Sequence, residues 1–320
     1  MHWAKIGEAG FIGGMRFLFW AYRCLGAWPF RLFLFFVILW FFLTRPLARR
    51  ASREYLQRLH ASSKGTTPAP TRRNSFRHFL RFGETLLEKM CSYDNSLKIP
   101  YRIEGEQPVL ALLAKKRGVL LITAHLGNLE LCRCLTRARP HIDIKLTVLV
   151  YTRHAQRFNQ MLHALNPELA IDLVQVDRID FTTAMLLSER VAAGGMVVIA
   201  GDRVPVHLHA ANIANATIAL PFLGAPAHFP TGPYVLAAAL GCPVFTLFSA
   251  RRDDTFLITL RPLAERILLP RRERQEAILP YAQGYVAALT EECQKNPLQW
   301  FNFFPFWKQD ENSMDGGGKK

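Results

Sequence analysis

A chain of 320 residues that is 50% hydrophobic can bury a sizeable core, and one catalytic domain of roughly 230 residues beside a membrane-proximal appendage fits it better than two equal domains. Lys and Arg number 40 against 25 Asp and Glu, and the resulting net charge of +15 favours an anionic partner: nucleic acid, anionic lipid or an acidic carrier protein. The 23 Phe and the apolar N-terminal region argue for lipid; zinc-finger spacing and RNA-binding aromatic motifs are both absent.

Residues 24–44 read as a membrane helix, about 31 Å long if fully helical. Pro29 and Arg31 interrupt it, and the unbroken apolar part from Leu32 to Leu43 is too short to cross a bilayer alone. The segment therefore either spans with Arg31 snorkelling to the headgroups or enters one leaflet as a monotopic anchor. A late start and the lack of a small-residue cleavage site speak against a signal peptide. Arg45, Arg49, Arg50, Arg53 and Arg58 form a basic flank that the positive-inside rule places in the cytoplasm, with the rest of the chain. Residues 1–58 thus make an anchor and flank, 59–75 a linker, 76–309 the catalytic domain and 310–320 a disordered tail.

A helix is expected to start after Asn74 or Ser75, its apolar face (Phe76, Phe79, Leu80, Gly83, Leu87 and Met90) packing on the core. Strand and helix then alternate. Strands are predicted at 118–124, 144–151, 171–176, 195–200, 243–249 and 255–261, and helices near 128–138, 154–165, 179–193, 231–240 and 274–295. Apolar runs such as Met196–Ala200 suit strands buried on both faces. The fold class is α/β, a sheet covered by helices, with an N-terminal membrane-anchoring helix.

The stretch Gly118–Glu130 reads as a buried strand that delivers His125 to a turn at Gly127, with Glu130 following as a helix begins. Two side chains five positions apart on one helix lie about 140° apart, so His125 must precede the helix if the two are to meet. Placed so, Glu130 accepts from one imidazole nitrogen and leaves the other to take a proton. Strand ends are where α/β proteins put reactive residues.

Gly201-Asp202-Arg203 ends a neighbouring strand. Its arginine can hold a phosphate or pantetheine group while Asp202 fixes the loop, or the two can form a local ion pair. Residues 220–233, rich in Pro and Gly, read as a fixed loop, and Thr231-Gly232 can open the next helix with free N–H groups facing an anion. No metal is expected. His207 and His209 lack accompanying carboxylates or thiols, and Cys132 and Cys134 would point roughly 200° apart on a helix. Six scattered cysteines read as free thiols in a reducing compartment. A Gly-x-Ser-x-Gly elbow, a dinucleotide fingerprint and a P-loop are all missing.

The apolar anchor with its basic flank, His125-Leu126-Gly127-Asn128-Leu129-Glu130, Gly201-Asp202-Arg203, the Pro221–Gly232 loop and the ending Asn296–Trp307 follow one another in an order that resembles the bacterial lipid A biosynthesis (late) acyltransferases. These sit within the glycerolipid and lysophospholipid acyltransferase superfamily. The resemblance covers about residues 15–307. It implies a mixed sheet of the glycerolipid acyltransferase type and an inner-membrane enzyme with a cytoplasmic active site. Such an enzyme moves a fatty acyl group from acyl carrier protein or coenzyme A to a lipid hydroxyl or amine, without a cofactor.

By the family pattern His125 is the general base and Glu130 its partner; backbone N–H groups at Gly127–Asn128 or Thr231–Gly232 are candidates for holding the oxyanion, and Asp202 and Arg203 are candidates for binding substrate. Lipid A acyltransferases commonly carry Asp-x-Asp where this chain has Asp202-Arg203-Val204, and no arginine matches the one expected after the 154–165 helix. These departures point away from lipid A itself and toward a related acceptor, such as another glycolipid, an aminolipid or the lipid anchor of an aryl polyene pigment. Two other readings of the same residues are a thioester hydrolase and a catalytically silent membrane-binding protein.

Overall fold

The computed structural model describes residues 22, 27–93, 100–133, 135, 145–150, 172–175, 181–204, 216–270 and 272–307. Three helices lead: α1 (Ala27–Thr44), α2 (Pro46–Ser62) and α3 (Arg72–Tyr93). α1 is apolar nearly all round, yet only its stripe of Phe30, Leu34 and Ile38, spaced by four, is buried, against Phe79 of α3. Gly83 allows this approach, since a Cβ there would lie 2.9 Å from Cδ1 of both Leu34 and Ile38. The face carrying Phe76, Phe79, Leu80 and Leu87 thus packs on α1, where packing on the α/β core was expected.

Pro46 stands at the start of α2, a position where its missing N–H is harmless. Arg49 reaches back to the carbonyls of Phe42 and Leu43, placing a cation at the negative end of α1. Among the described residues no single helix is long and apolar enough to cross a membrane; Pro29–Thr44 and Pro46–Ser62 meet that condition only as a pair bent by 95°. The segment read as a linker over 59–75 is helical at both ends, with a connection of nine residues, 63–71, between the helices. α2 runs to Ser62 and α3 starts at Arg72, and the connection between them is tied by the His60 Nδ1 contact with the Thr67 carbonyl at 2.6 Å.

The remaining elements are β1 (Tyr101–Glu104), α4 (Gln107–Ala114), β2 (Val119–Gly127), a 3₁₀ turn (Leu129–Arg133), β3 (Leu146–Val150), β4 (Asp172–Gln175), α5 (Phe181–Ala192), β5 (Met196–Ala200), β6 (Thr217–Phe222), β7 (Ala225–Pro230), α6 (Gly232–Leu240), β8 (Val244–Arg252), β9 (Thr255–Ala264) and α7 (Arg274–Lys295). Seven strands form one mixed sheet in the order β1-β9-β8-β2-β5-β3-β4, in which β9 runs antiparallel to β8 and every other pair is parallel. β2 lies at its centre and is apolar without alternation because both faces are covered. Leu120, Ile122 and Ala124 face α6, α7 and the C-terminal aromatics, while Val119 and Leu121 face α4 and Leu131.

Two expectations change, and one strand was not expected at all. Residues 220–233 are not a loop up to the helix: β6 and β7 make an antiparallel hairpin turning at Leu223-Gly224, with Pro221 opposite Pro226. A two-stranded ribbon has two edges, so proline is tolerated there. Where a helix was expected over 128–138, the described residues Leu129–Arg133 form a 3₁₀ turn, whose Glu130 N–H is capped by Asn128 Oδ1 at 3.2 Å. β1 is a short strand without a readable apolar pattern. The helix expected at 154–165, His207, His209, Cys134 and the tail 310–320 lie outside the described residues.

Candidate active site

β2 carries His125 to the C-terminal end of the sheet's centre. Gly127 sits at φ 61°, and a Cβ there would come within 1.9 Å of the Ser249 carbonyl, so the turn demands glycine. β5, the parallel neighbour of β2, ends at the same level, and Asp202 follows two residues later.

The carboxylate of Asp202, fully buried, belongs to His125. Its Oδ1 accepts the imidazole Nδ1–H at 2.7 Å, and its Oδ2 accepts the His125 main-chain N–H at 2.9 Å. Trp300 Nε1–H at 3.0 Å and Asn302 Nδ2–H at 3.2 Å also reach Oδ2. Burial by itself would raise the Asp202 pKa, but His125, Arg203 and the hydrogen bonds outweigh it and hold the group ionised, well below the usual carboxylate range. The carboxylate expected at one of the imidazole nitrogens was Glu130; the structure puts Asp202 at Nδ1. The spacing argument treated the helix after His125 as the only source of a partner, and a parallel neighbour strand supplies a closer one.

His125 keeps 38% of its side-chain surface open. Burial and the nearby Arg203 charge pull its pKa below the ordinary 6.5, against the pull of Asp202 in the other direction. The imidazole is therefore neutral at pH 7, with Nδ1–H committed to Asp202 and the Nε2 lone pair left to accept a proton. Arg203, expected to meet substrate, is turned into the fold: Nε donates to Asn302 Oδ1 and a terminal nitrogen to the Phe301 carbonyl, both at 2.8 Å. Its guanidinium also stands 5.7 Å from the Phe304 ring centre.

Lys89 of α3 shares this neighbourhood. Burial lowers its pKa and Arg203 adds to that, while Glu130 favours its charged form. Glu130 thus sits among the site's charges, at the start of the 3₁₀ turn. The backbone donors expected for an oxyanion are largely taken: Gly127 N–H goes to Gln299 O at 2.8 Å, Asn128 N–H to Ser249 O at 3.0 Å, and Thr231 N–H to Ala216 O at 2.9 Å. Gly232 opens α6, where the first N–H groups have no intrahelical acceptor.

Lys89, Trp300 and Asn302 were not foreseen as site residues. The sequence signal for the last two was their placement, two apart, in the aromatic ending; for Lys89 there was none beyond a helix of mixed polarity.

A neutral histidine braced by a buried carboxylate, at the strand ends of a mixed α/β sheet, is the layout of an enzyme that takes a proton from a substrate. The family model for bacterial lipid A biosynthesis acyltransferases matches residues 20–309, and the chain belongs to that family; it is an acyltransferase. No curated protein matches the chain.

Proposed function

We propose that this acyltransferase moves a fatty acyl group from an acyl thioester to a hydroxyl or amine of a lipid A-like acceptor, with His125 as general base. His125 Nε2 takes the acceptor's proton as its oxygen or nitrogen attacks the thioester carbonyl, and Asp202 stabilises the imidazolium that forms. The tetrahedral intermediate collapses with cleavage of the C–S bond, and the imidazolium returns its proton to the departing thiolate. No acyl-enzyme and no cofactor is needed. The Gly232 N–H at the head of α6 is the proposed oxyanion donor, and Glu130 favours the charged form of Lys89 beside the reacting groups. The observation that carries this reading is the 2.7 Å bond from Nδ1 to Asp202, which fixes the tautomer with Nε2 unprotonated.

Acyl carrier protein is the proposed donor, since an acidic carrier suits a chain of net charge +15. The enzyme is proposed to work at the cytoplasmic face of the inner membrane, where anionic lipid favours the same charge. α1 supports membrane attachment: outside its buried stripe it exposes Leu32, Phe33, Phe36, Val37, Trp40 and Leu43, beside exposed Arg45, Arg50 and Arg53. The test is transfer from fatty acyl carrier protein to under-acylated lipid A by the purified protein in detergent, read by product mass and thiol release. A new ester or amide made by wild type and not by His125→Ala supports the reading. Thiol release that continues unchanged without acceptor overturns it in favour of hydrolysis.

A further inference from the structure

Residues Gln299–Asn302 lie about a hundred positions beyond Asp202 and still hold both halves of the His125–Asp202 pair. Gln299 O accepts the Gly127 N–H, and the Phe301 N–H donates to His125 O, each at 2.8 Å. These bonds flank an antiparallel bridge between Leu126 and Trp300, so the segment runs as a short strap along the end of β2. In an extended strap alternate side chains share a face. Trp300 and Asn302 share the one turned to Asp202, and both donate to the same oxygen, Oδ2. Gln299 exchanges two hydrogen bonds with the Arg251 backbone, 2.8 and 2.7 Å. Arg203 locks the strap from outside through Asn302 Oδ1 and Phe301 O, and His78 Nε2 holds the Trp300 carbonyl at 3.0 Å.

We infer that Trp300 and Asn302 are positioning residues for acyl transfer: by loading Oδ2 with two N–H donors they fix the rotation of the Asp202 carboxylate and reserve Oδ1 for His125 Nδ1. The inference rests on His125 as the base. Burial of Trp300 among Tyr55, Phe222 and Phe306 explains why an aromatic ring is there. It does not explain why the indole N–H and the Asn302 amide converge on one carboxylate oxygen. A carboxylate relieved of these donors is free to turn about its own bond, and more of its charge then faces the imidazole, favouring the imidazolium.

The experiment compares Trp300→Phe, Asn302→Leu and His125→Ala with wild type in the full-length protein, using fatty acyl carrier protein and under-acylated lipid A. Rates are normalised to the folded fraction from thermal melts. Each of the first two variants is expected to lower kcat about tenfold with KM within about twofold. Each is also expected to move the acidic limb of the pH–rate profile upward, a shift that loss of folded protein does not produce. Wild-type kcat and an unmoved limb in both, with His125→Ala inactive, overturn the positioning role alone. Full activity in His125→Ala overturns the base reading beneath it. If Trp300→Phe fails to fold, Asn302→Leu, which leaves the aromatic cluster whole, decides the question by itself.

Discussion

His125 and Asp202 are joined twice across opposite oxygens of one carboxylate, through Nδ1 to Oδ1 at 2.7 Å and through the main-chain N–H to Oδ2 at 2.9 Å. In Asp202→Asn the three N–H donors at Oδ2 select the amide oxygen for that side, leaving the NH2 to face Nδ1. The imidazole must then accept at Nδ1 and carry its proton on Nε2, the wrong tautomer for a base. Transfer should fall by about 10³-fold or more with the fold retained. A loss below tenfold, measured as kcat on folded protein, would show that another group orients His125.

The same pair sets the pH dependence of the rate. His125 works neutral and its pKa lies below 6.5, so the base should be mostly in its active form at pH 7 and activity should fall as the pH drops through that lowered pKa. A kcat/KM profile whose acidic limb instead centres above 6.5 would contradict the ordering of burial and the Arg203 charge over Asp202.

Much of the α/β core was readable because strands buried on both faces leave unbroken apolar runs. Strands were expected over 118–124 and 195–200, and in the structure Val119–Thr123 pairs with Met196–Ala200, Leu121 against Val198. The β6–β7 ribbon was not readable, because Pro221 and Pro226 carry loop signals that a two-edged hairpin tolerates. His125 was legible from its place at the end of a buried strand, although that strand runs on to Gly127 and includes the histidine instead of stopping before it. Its partner was not: a carboxylate 77 positions away reaches Nδ1 only through the parallel pairing of β2 with β5, a relationship that local spacing does not encode. The C-terminal strap was hidden for the same reason, since its work is done by one β-bridge and by side chains two apart.

A second histidine links pH to folding. His78 is fully buried; its Nδ1 faces Ser52 Oγ at 3.1 Å and its Nε2 the Trp300 carbonyl at 3.0 Å. Burial lowers its pKa from 6.5 to about 4, against a smaller opposing effect of the Trp300 carbonyl. Between those values the unfolded chain binds a proton that the native state refuses. The contribution is thus fully present above pH 6.5 and lost as pH falls toward 4, by roughly 3 kcal/mol. Asp202 and Glu292 titrate as well, so the informative quantity is a difference. Unfolding free energies at pH 7 and 4.5 should drop further in wild type than in His78→Gln, whose amide cannot titrate; equal drops would show that His78 takes no part.

The exposed face of α1 makes the last prediction. Phe36 and Trp40, four residues apart, each expose 59% of their surface, while Phe30, Leu34 and Ile38 on the other side hold the helix to α3. Replacing the exposed pair leaves that packing intact and removes only what a bilayer would cover. Burying most of one such side chain is worth about 1.5–3 kcal/mol, so Phe36→Ser with Trp40→Ser should weaken partitioning onto anionic phospholipid vesicles by about 10²-fold. The thermal melt in detergent should stay close to wild type. Arg50→Glu with Arg53→Glu, on the exposed side of α2, should weaken the same binding in a manner that added salt makes smaller, because that part of the attraction is screened. Flotation of both double variants with the vesicles at wild-type levels would mean that some other surface holds the enzyme to the membrane.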